Sequence, residues 1–509
     1  VWVWGVLGCA GPKPQFVSGP TIAAADLAPL SAELLVETDL PTRLRVELRG
    51  DDVDLSLELP ALARVHRVPV HGTRPDREIE VIVTAEAATG RQRTERTTFR
   101  TRALPDDLPR IDVRHIDPDR VLDGWILLPL RSYDDDRSWL VAVDPRDGEV
   151  AWAYTGGWPF GIVRPTPDGT LLGMPGPTIV EIDLFGREVR RWSGNNDDDP
   201  GDAVRIDATT MHHDVLEHEG TLAVLTKRPF DVPEFPESYE DPEALVGPVR
   251  IEDNALSLFD AETGERTAYW PLADRLDTAR IGFDSLNTKP FGIDWVHANA
   301  VVPYRDGWIV ECRHQDALVH LAPDGEVRWI LSNPAGWRSP WRELLLDGPD
   351  AEGWAFHPHG PSFDADGNLM VLDNHNHGHA PYTPPPDEPP RSRVVAWSID
   401  DDARTATTAW TWTPPGELFS NGLGNVVGLP DGDVLADFPL LTSANGVSNE
   451  ARGRGRTAVR VFQITPGRQA PALDLEISTD LRTDPEGVKA YRAFPIPTFW
   501  DADVVVERR

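Results

Sequence analysis

At 509 residues with a 40% hydrophobic share, the chain can bury a large core, and its composition is that of a globular protein, not a disordered one. Asp and Glu number 83 against 49 Lys plus Arg, a formal net charge of -34, and the only lysines are Lys13, Lys227, Lys289 and Lys489. That field repels polyanions, so no nucleic-acid partner is expected, and two cysteines, Cys9 and Cys312, argue against a disulfide framework or a cysteine metal site.

The chain opens on VWVWGVLGCAG, a short apolar run ending in Val6-Leu7-Gly8-Cys9 that looks like a bacterial lipobox. Residues 1–15 are expected to be a lipoprotein signal remnant. Lipidation of Cys9 would hold the protein in the periplasm or outer cell envelope, touching membrane only through that anchor. No other segment is an uninterrupted apolar run of about 18 residues, so no membrane span is expected. Residues 16–103 alternate apolar and polar positions in AELLVETD, TRLRVELRG, RVHRVPV and EIEVIVTAE, which predicts a small β-sandwich of the fibronectin type III kind. Pro105 to Pro109 reads as a linker.

Residues 110–509 carry an internal repeat. Six times a turn is followed by an apolar strand: DGWILLPL, DGTLLGM, EGTLAVLT, DGWIVECR, DGNLMVLD and DGDVLADF, with turn glycines Gly124, Gly169, Gly220, Gly307, Gly367 and Gly432. Each is followed by a second hairpin that usually carries a Trp, as in LVAVDPRDGEVAWAY, IVEIDLFGREVRRW and LVHLAPDGEVRWIL. With one strand before each first turn, every unit has four strands, the blade of a β-propeller. The fold class is therefore all-β, a six-bladed β-propeller preceded by the small sandwich. Insertions near 228–253, 375–392 and 443–456 read as surface loops.

The first strand of each blade lines the central channel, so residues just ahead of the turn glycines can converge. His213 precedes its glycine by seven residues, His297 by ten, His359 by eight and Asn425 by seven. Three blades thus place a histidine at nearly one depth. Asn299 shares the strand face of His297, and Arg313 follows the second strand of the fourth blade. Imidazoles, an amide and a guanidinium fork suit a tetrahedral oxyanion. The run NHNHGH, with His375, His377 and His379, leads into a proline-rich loop and is expected on a solvated rim without metal. No phosphate-cradling Gly-x-x-x-x-Gly-Lys motif is present, and no cofactor is expected.

The segments MHHDVLEHEGTLAVL, DWVHANAVVPYRDGWIVECRHQDALVHLAPDGEVRWIL and HPHGPSFDADGNLMVLDN resemble the bacterial arylsulfate sulfotransferases that work without 3′-phosphoadenosine phosphosulfate. The likeness extends over nearly the whole chain after the lipobox, the small sandwich included. It implies an aryl sulfate donor, a phenolic acceptor and ping-pong transfer through a sulfated histidine, with a homodimer left open. By position the nucleophile corresponds to His359. The supporting histidines look like His213 and His297, with Asn299 beside the latter and Arg313 as the sulfate-binding arginine; on chemical grounds His213 and Asn299 would join Arg313 on the sulfate oxygens, His297 would give and then take the phenolic proton, and Asn425, at a similar depth, is a further substrate-binding candidate. Two departures stand out: no cysteine pair lies near His359, and its flanks read Pro-His-Gly where relatives often have Gln-His and a small polar residue. Two other classes fit the same residues, a metal-dependent hydrolase or lyase ligated by the histidines and a non-catalytic propeller that binds an envelope partner.

Overall fold

The computed structural model describes residues 12–133, 136–157, 161–387, 391–416, 418–444, 447–448, 456–479 and 487–508; Cys9 and the expected anchor lie outside them. Period-two runs broken by turns make strands, and the only helical pieces among the described residues are three short 3-10 turns. No helix among them is long and apolar enough to cross a membrane.

From residue 125 onward, sheets follow one another in chain order. Blade 1 holds Trp125–Ser132, Ser138–Val143 and Val150–Tyr154, and blade 2 holds Val163–Pro165, Leu171–Gly173, Thr178–Ile182 and Glu188–Ser193. Blade 3 is Met211–His218, Thr221–Val232, Val249–Asp260 and Arg266–Pro271; blade 4 is Ala298–Tyr304, Gly307–Cys312, Ala317–Leu321 and Val327–Ser332. Blade 5 is Pro358–Phe363, Leu369–Asp373, Arg393–Asp400 and Thr405–Trp412; blade 6 is Asn425–Gly428, Val434–Ala444, Arg456–Ile464 and Leu473–Ser478. The ring closes at both edges of its seam. Arg110–Ile116 adds an outer strand to blade 6, while Val488–Ala490 and Phe494–Ile496 supply the inner strand of blade 1. The architecture is the expected six-bladed propeller, with the seam strands paired instead of left as edges.

The repeated Trp has a physical task. Trp152 Nε1 donates to the Leu184 carbonyl at 2.7 Å, Trp192 to Ala261 at 2.7 Å, Trp329 to the Asp401 carboxylate at 2.6 Å and Trp412 to the Gln469 carbonyl at 3.0 Å. Each bond runs from one blade to a hairpin turn of the next, so a buried indole satisfies its one donor while its ring fills the space between blades. Between blades 3 and 4 the same contact is made by packing: a Cβ on Gly325 would stand 2.4 Å from the Trp270 ring, so only glycine fits there. Of the six turn glycines, Gly169, Gly220, Gly367 and Gly432 take positive φ, whereas Gly307 is required because a Cβ would strike the Leu321 carbonyl at 2.1 Å.

Ahead of the propeller, Thr21–Ala24, Ala32–Gly50, Val53–Val70, Glu78–Ala87 and Gln92–Arg100 are hydrogen-bonded as one sheet, which the C-terminal strand Val505–Arg508 joins along Leu55–Glu58. The two long strands shift register between Glu37 and Leu44, so each serves different neighbours along its length. Their apolar side chains, among them Leu44, Val46 and Leu57, form one core cluster with Trp125, Leu127 and Trp152 of blade 1 and Val163 and Val180 of blade 2.

Candidate active site

The inner strands of blades 3 to 5 are irregular where the sequence places the histidines. Register shifts fall between Met211 and Val215, between Ala298 and Ala300, and between His359 and Ser362. His213, His297 and His357 have φ of 57°, 46° and 53°, and Leu423, ahead of blade 6, has 65°. Such conformations cost free energy in residues with a Cβ and persist where the surroundings enforce them. Bulges re-aim side chains and absorb the unequal spacings of seven, ten and eight residues to the turn glycines.

The rings of His213 and His297 meet edge to face at 4.7 Å, and His297 stacks on His314 at 4.5 Å. His213 Nδ1 shares a hydrogen bond of 2.6 Å with His212 Nδ1. His297 Nδ1 lies 2.7 Å from Asp294 Oδ2, and His314 Nδ1 lies 2.6 Å from the Asp294 carbonyl, to which it donates. Burial pushes the Asp294 carboxyl up to about 6, with Glu252 adding to it, and holds His297 well below the usual imidazole range, with His314 adding to it. Near neutral pH this pair therefore holds one proton, on His297 Nδ1, directed at the carboxylate.

His359 is 5% exposed, and its protonation is decided by its neighbours. The Asn374 amide nitrogen donates to the Ser420 carbonyl at 2.9 Å, which turns its oxygen toward His359 Nδ1, 2.5 Å away. Nδ1 therefore carries the proton, and Nε2 carries the lone pair, which accepts from the Leu423 N–H at 3.0 Å. Burial, followed by the Arg313 cation, holds His359 well below the usual imidazole range, so the ring is neutral.

Asn299 stands between Glu311 and His359. One end of its amide is 2.9 Å from His359 Nε2 and the other 2.9 Å from Glu311 Oε2. An amide oxygen facing Nε2 would require a proton there and set the Leu423 N–H against it. The assignment consistent with the Nδ1–H tautomer points the NH2 at Nε2 and the carbonyl at Glu311. That arrangement needs a protonated Glu311, and burial raises this carboxyl well above its ordinary range. Glu311 Oε2 also accepts from the Gly360 N–H at 2.9 Å, next to His359.

Arg313, 2% exposed, donates through Nη1 to Asp284 Oδ2 at 3.2 Å, and its backbone N–H reaches the His297 carbonyl at 3.2 Å. Its charge contributes to the lowered proton affinity of His213, His297, His357 and His359 alike, behind burial in every case, and His213 falls to about 3. Beneath the cluster, buried Asp214 accepts from Arg164 at 2.9 Å, Arg492 at 2.8 Å and the Val301 N–H at 3.0 Å, joining blades 2, 3 and 4 to the closing segment.

The sequence-derived residues His213, His297, Asn299, Arg313 and His359 are thus close neighbours. Asn425 is adjacent but engaged: its amide both donates to and accepts from the Ala493 backbone at 2.9 Å, and a Cβ on Gly360 would stand 2.4 Å from its own Cβ. In the run from His375 to His379, His375 Nδ1 is bonded to Asp373 at 2.9 Å, while His377 and His379 both pack on Phe283, at 4.0 and 5.0 Å, with 6.4 Å between their own ring centroids. Among the described residues one group could hold a metal ion: Asp294, His297 and His314, with one ligand atom each within 4.8 Å of one another. An ion there would compete with the two hydrogen bonds to Asp294. Sequence reading passed over Asp294, Glu311, His314 and Asn374, although all four stand inside the stretches DWVHAN, VECRHQ and VLDN that carry the resemblance. Leu423 acts through its backbone and leaves no signature.

Residues 123–492 match the family model Arylsulfotransferase (ASST). Over 148 residues the chain is 27% identical to the arylsulfate sulfotransferase AssT of Escherichia coli O6:H1, a stretch covering 25% of this chain and 24% of that one. Two solved structures share 11% identity: a protein of unknown function from Bacteroides caccae, covering 73% of this chain and 99% of its own with a TM-score of 0.37, and cobalt-substituted Synechocystis ACO, covering 96% and 97% with 0.33. Those scores carry no argument about fold or function. The family match begins at blade 1 and runs to Arg492, taking in every residue gathered at the histidine cluster, and the chain belongs to the arylsulfotransferase (ASST) family.

Proposed function

We propose that the chain transfers a sulfuryl group from an aryl sulfate to a phenolic acceptor by a ping-pong route through sulfated His359. The observation that carries this reading is the tautomer of His359, with its proton held on Nδ1 by Asn374 and its lone pair on Nε2 beside two N–H donors and the Arg313 cation. The Nε2 lone pair attacks sulfur. The N–S bond forms as the S–O bond to the aryl group breaks, leaving its electron pair on the aryloxide. Arg313, His213, the Asn299 amide and the Leu423 N–H then bind sulfuryl oxygens, fixed donors aimed at charge that grows in the transition state.

His297 supplies the proton for the aryloxide. The bound sulfate anion raises its proton affinity, so the proton enters with the donor. In the second half the acceptor phenol gives its proton back to His297 as its oxygen takes the sulfuryl group, and His359 is regenerated. Because Asn374 is a neutral amide, the sulfated ring keeps its Nδ1 proton and remains a good leaving group. The apolar run ending at Cys9 supports a lipid-anchored location outside the cytoplasm.

The test uses the purified chain with 4-nitrophenyl sulfate, with and without phenol, read by nitrophenol release and intact mass. Acceptor-dependent release with a sulfated species that is lost in His359→Ala is the expected result. Release that needs no acceptor and stops on chelation would instead assign the cluster around Asp294 to a metal hydrolase.

A further inference from the structure

Beside His359 and His213 lies a cavity of about 500 Å³ lined by Arg131, Tyr133, Leu423, Leu440, Lys489 and Tyr491, among others. Two of these residues border the histidine cluster: the Leu423 N–H bonds His359 Nε2, and the Tyr491 ring lies 6.3 Å from that of His213. The volume falls in the range of small-molecule sites, and the walls mix two phenol rings and two leucines with a few polar groups. Both leucines hold left-handed backbones, φ 65° at Leu423 and 49° at Leu440, a cost for side chains of their size that clusters at ligand sites.

Arg131 and Lys489 stand directly opposite each other in the antiparallel pairing of the closing strand with blade 1. Residues paired in this way project to one face of the sheet, so the two cations are neighbours. Lys489 is one of four lysines in a chain of net charge -34, so a second cation beside Arg131 is unusual for this sequence. Arg131 is balanced from outside by Asp136, 97% exposed and 2.9 Å away, and Lys489 Nζ lies 5.2 Å from the Tyr133 ring centroid.

We propose that this cavity is the aryl subsite and that Arg131 and Lys489 select aryl sulfates and phenols bearing a second anionic substituent, such as a carboxylate, on the ring. The assignment rests on the sulfuryl-transfer reading of the neighbouring histidines. With the phenolic oxygen at His359, the ring lies along Leu423 and Tyr491 and its far substituent faces the cation pair.

Two acceptors of matched phenol acidity separate charge from chemistry: 4-hydroxyphenylacetate and its methyl ester, with 4-nitrophenyl sulfate as donor. Wild type is expected to favour the acid, and Lys489→Gln and Arg131→Gln each to lower the acid-to-ester ratio of kcat/KM about five- to tenfold, mainly through KM, as loss of one charge contact of about 1 kcal/mol requires. Lys489→Arg should keep the preference. Thermal melting of Lys489→Gln as one cooperative transition near the wild-type temperature checks that the sheet is intact. Calorimetric binding of acid and ester to both proteins reads the subsite without turnover, so absence of transfer in wild type would count against the reaction alone. An unchanged ratio in both kinetics and binding would overturn the subsite.

Discussion

The amide oxygen of Asn374 lies 2.5 Å from His359 Nδ1 and, with the His357 carbonyl at 3.2 Å from the same nitrogen, holds the ring proton there and leaves Nε2 as the nucleophile. Replacing Asn374 by Ala removes the nearer of the two acceptors at Nδ1 and weakens the hold on this tautomer. We expect kcat to fall about 100-fold or more, in line with what loss of a tautomer-setting partner costs a catalytic histidine. Asn374→Asp has a different outcome. A carboxylate beside Nδ1 raises the proton affinity of His359, so the acid limb of the rate profile moves to higher pH, and it stabilises the sulfated ring, which then accumulates. Stopped-flow release and intact mass at several pH values read both effects, and an unaltered acid limb would count against the assignment of tautomer.

Glu311 is expected to act as a neutral acid that positions Asn299 and the Gly360 backbone. Glu311→Gln has a carbonyl for the Gly360 N–H and an NH2 for the Asn299 oxygen, and should keep kcat/KM within about threefold. Glu311→Ala leaves two buried polar groups unmet at about 1–3 kcal/mol each, enough to lower both Tm and turnover. If the Gln variant were as damaged as the Ala variant, an ionised Glu311 would be required instead.

Much of this site could be read from the chain, for physical reasons that also mark the limit. Six turns and six hairpins, five of them carrying a Trp, repeat because every blade solves the same packing problem, and the indole bonds from Trp152, Trp192, Trp329 and Trp412 are what the repeat preserves. His213, His297 and His359 could be grouped because inner strands share a channel. The seam could not be foreseen: Arg110–Ile116 and Val488–Ala490 pair with strands hundreds of residues away, and alternation alone sets neither partner nor register. Asn425 has the right depth in its blade yet is spent on Ala493, because the closing segment passes alongside it. Backbone donors such as the Leu423 N–H are invisible to any reading of side chains.

Acid stability follows from groups whose folded and unfolded proton affinities differ. Among the described residues, burial lowers the pKa of His66, His71, His212, His213, His297, His320, His357 and His359. These histidines contribute stability that is complete above about pH 6.5 and is lost as pH falls, because the unfolded chain takes up protons that the fold refuses. Burial raises Asp253, Asp294, Asp316, Glu311 and Asp437, which act in the opposite sense between the unfolded carboxylate range and their own. The histidines outnumber the carboxyls, so the net effect is a loss of stability from about pH 6 to 4.5, each unbalanced proton contributing about 1.4 kcal/mol per pH unit. Urea melts at half-unit intervals measure this slope, and a flat profile over the range would contradict it.

Asp144 joins three parts of the chain that lie far apart in sequence. Its buried carboxylate receives Arg74 of the amino-terminal sheet at 2.9 Å, Arg146 of its own blade at 3.0 Å, and Arg508 of the C-terminal strand. Burial alone would raise this carboxyl, yet the hydrogen bond from Arg146 and the charge of Arg508 hold it well below the ordinary carboxylate range. A depressed carboxyl contributes stability above its unfolded pKa, near 4, and the contribution fades as pH falls below that value. Asp144→Asn leaves these arginines without their shared anion, and removing one side of a buried charge group costs about 3–5 kcal/mol. We therefore expect a marked fall in Tm at pH 7 that narrows below pH 4. Arg508→Gln should cost less than Asp144→Asn, and the double variant less than the sum, since both changes break one network. Full additivity would mean that the C-terminal strand and blade 1 are stabilised independently.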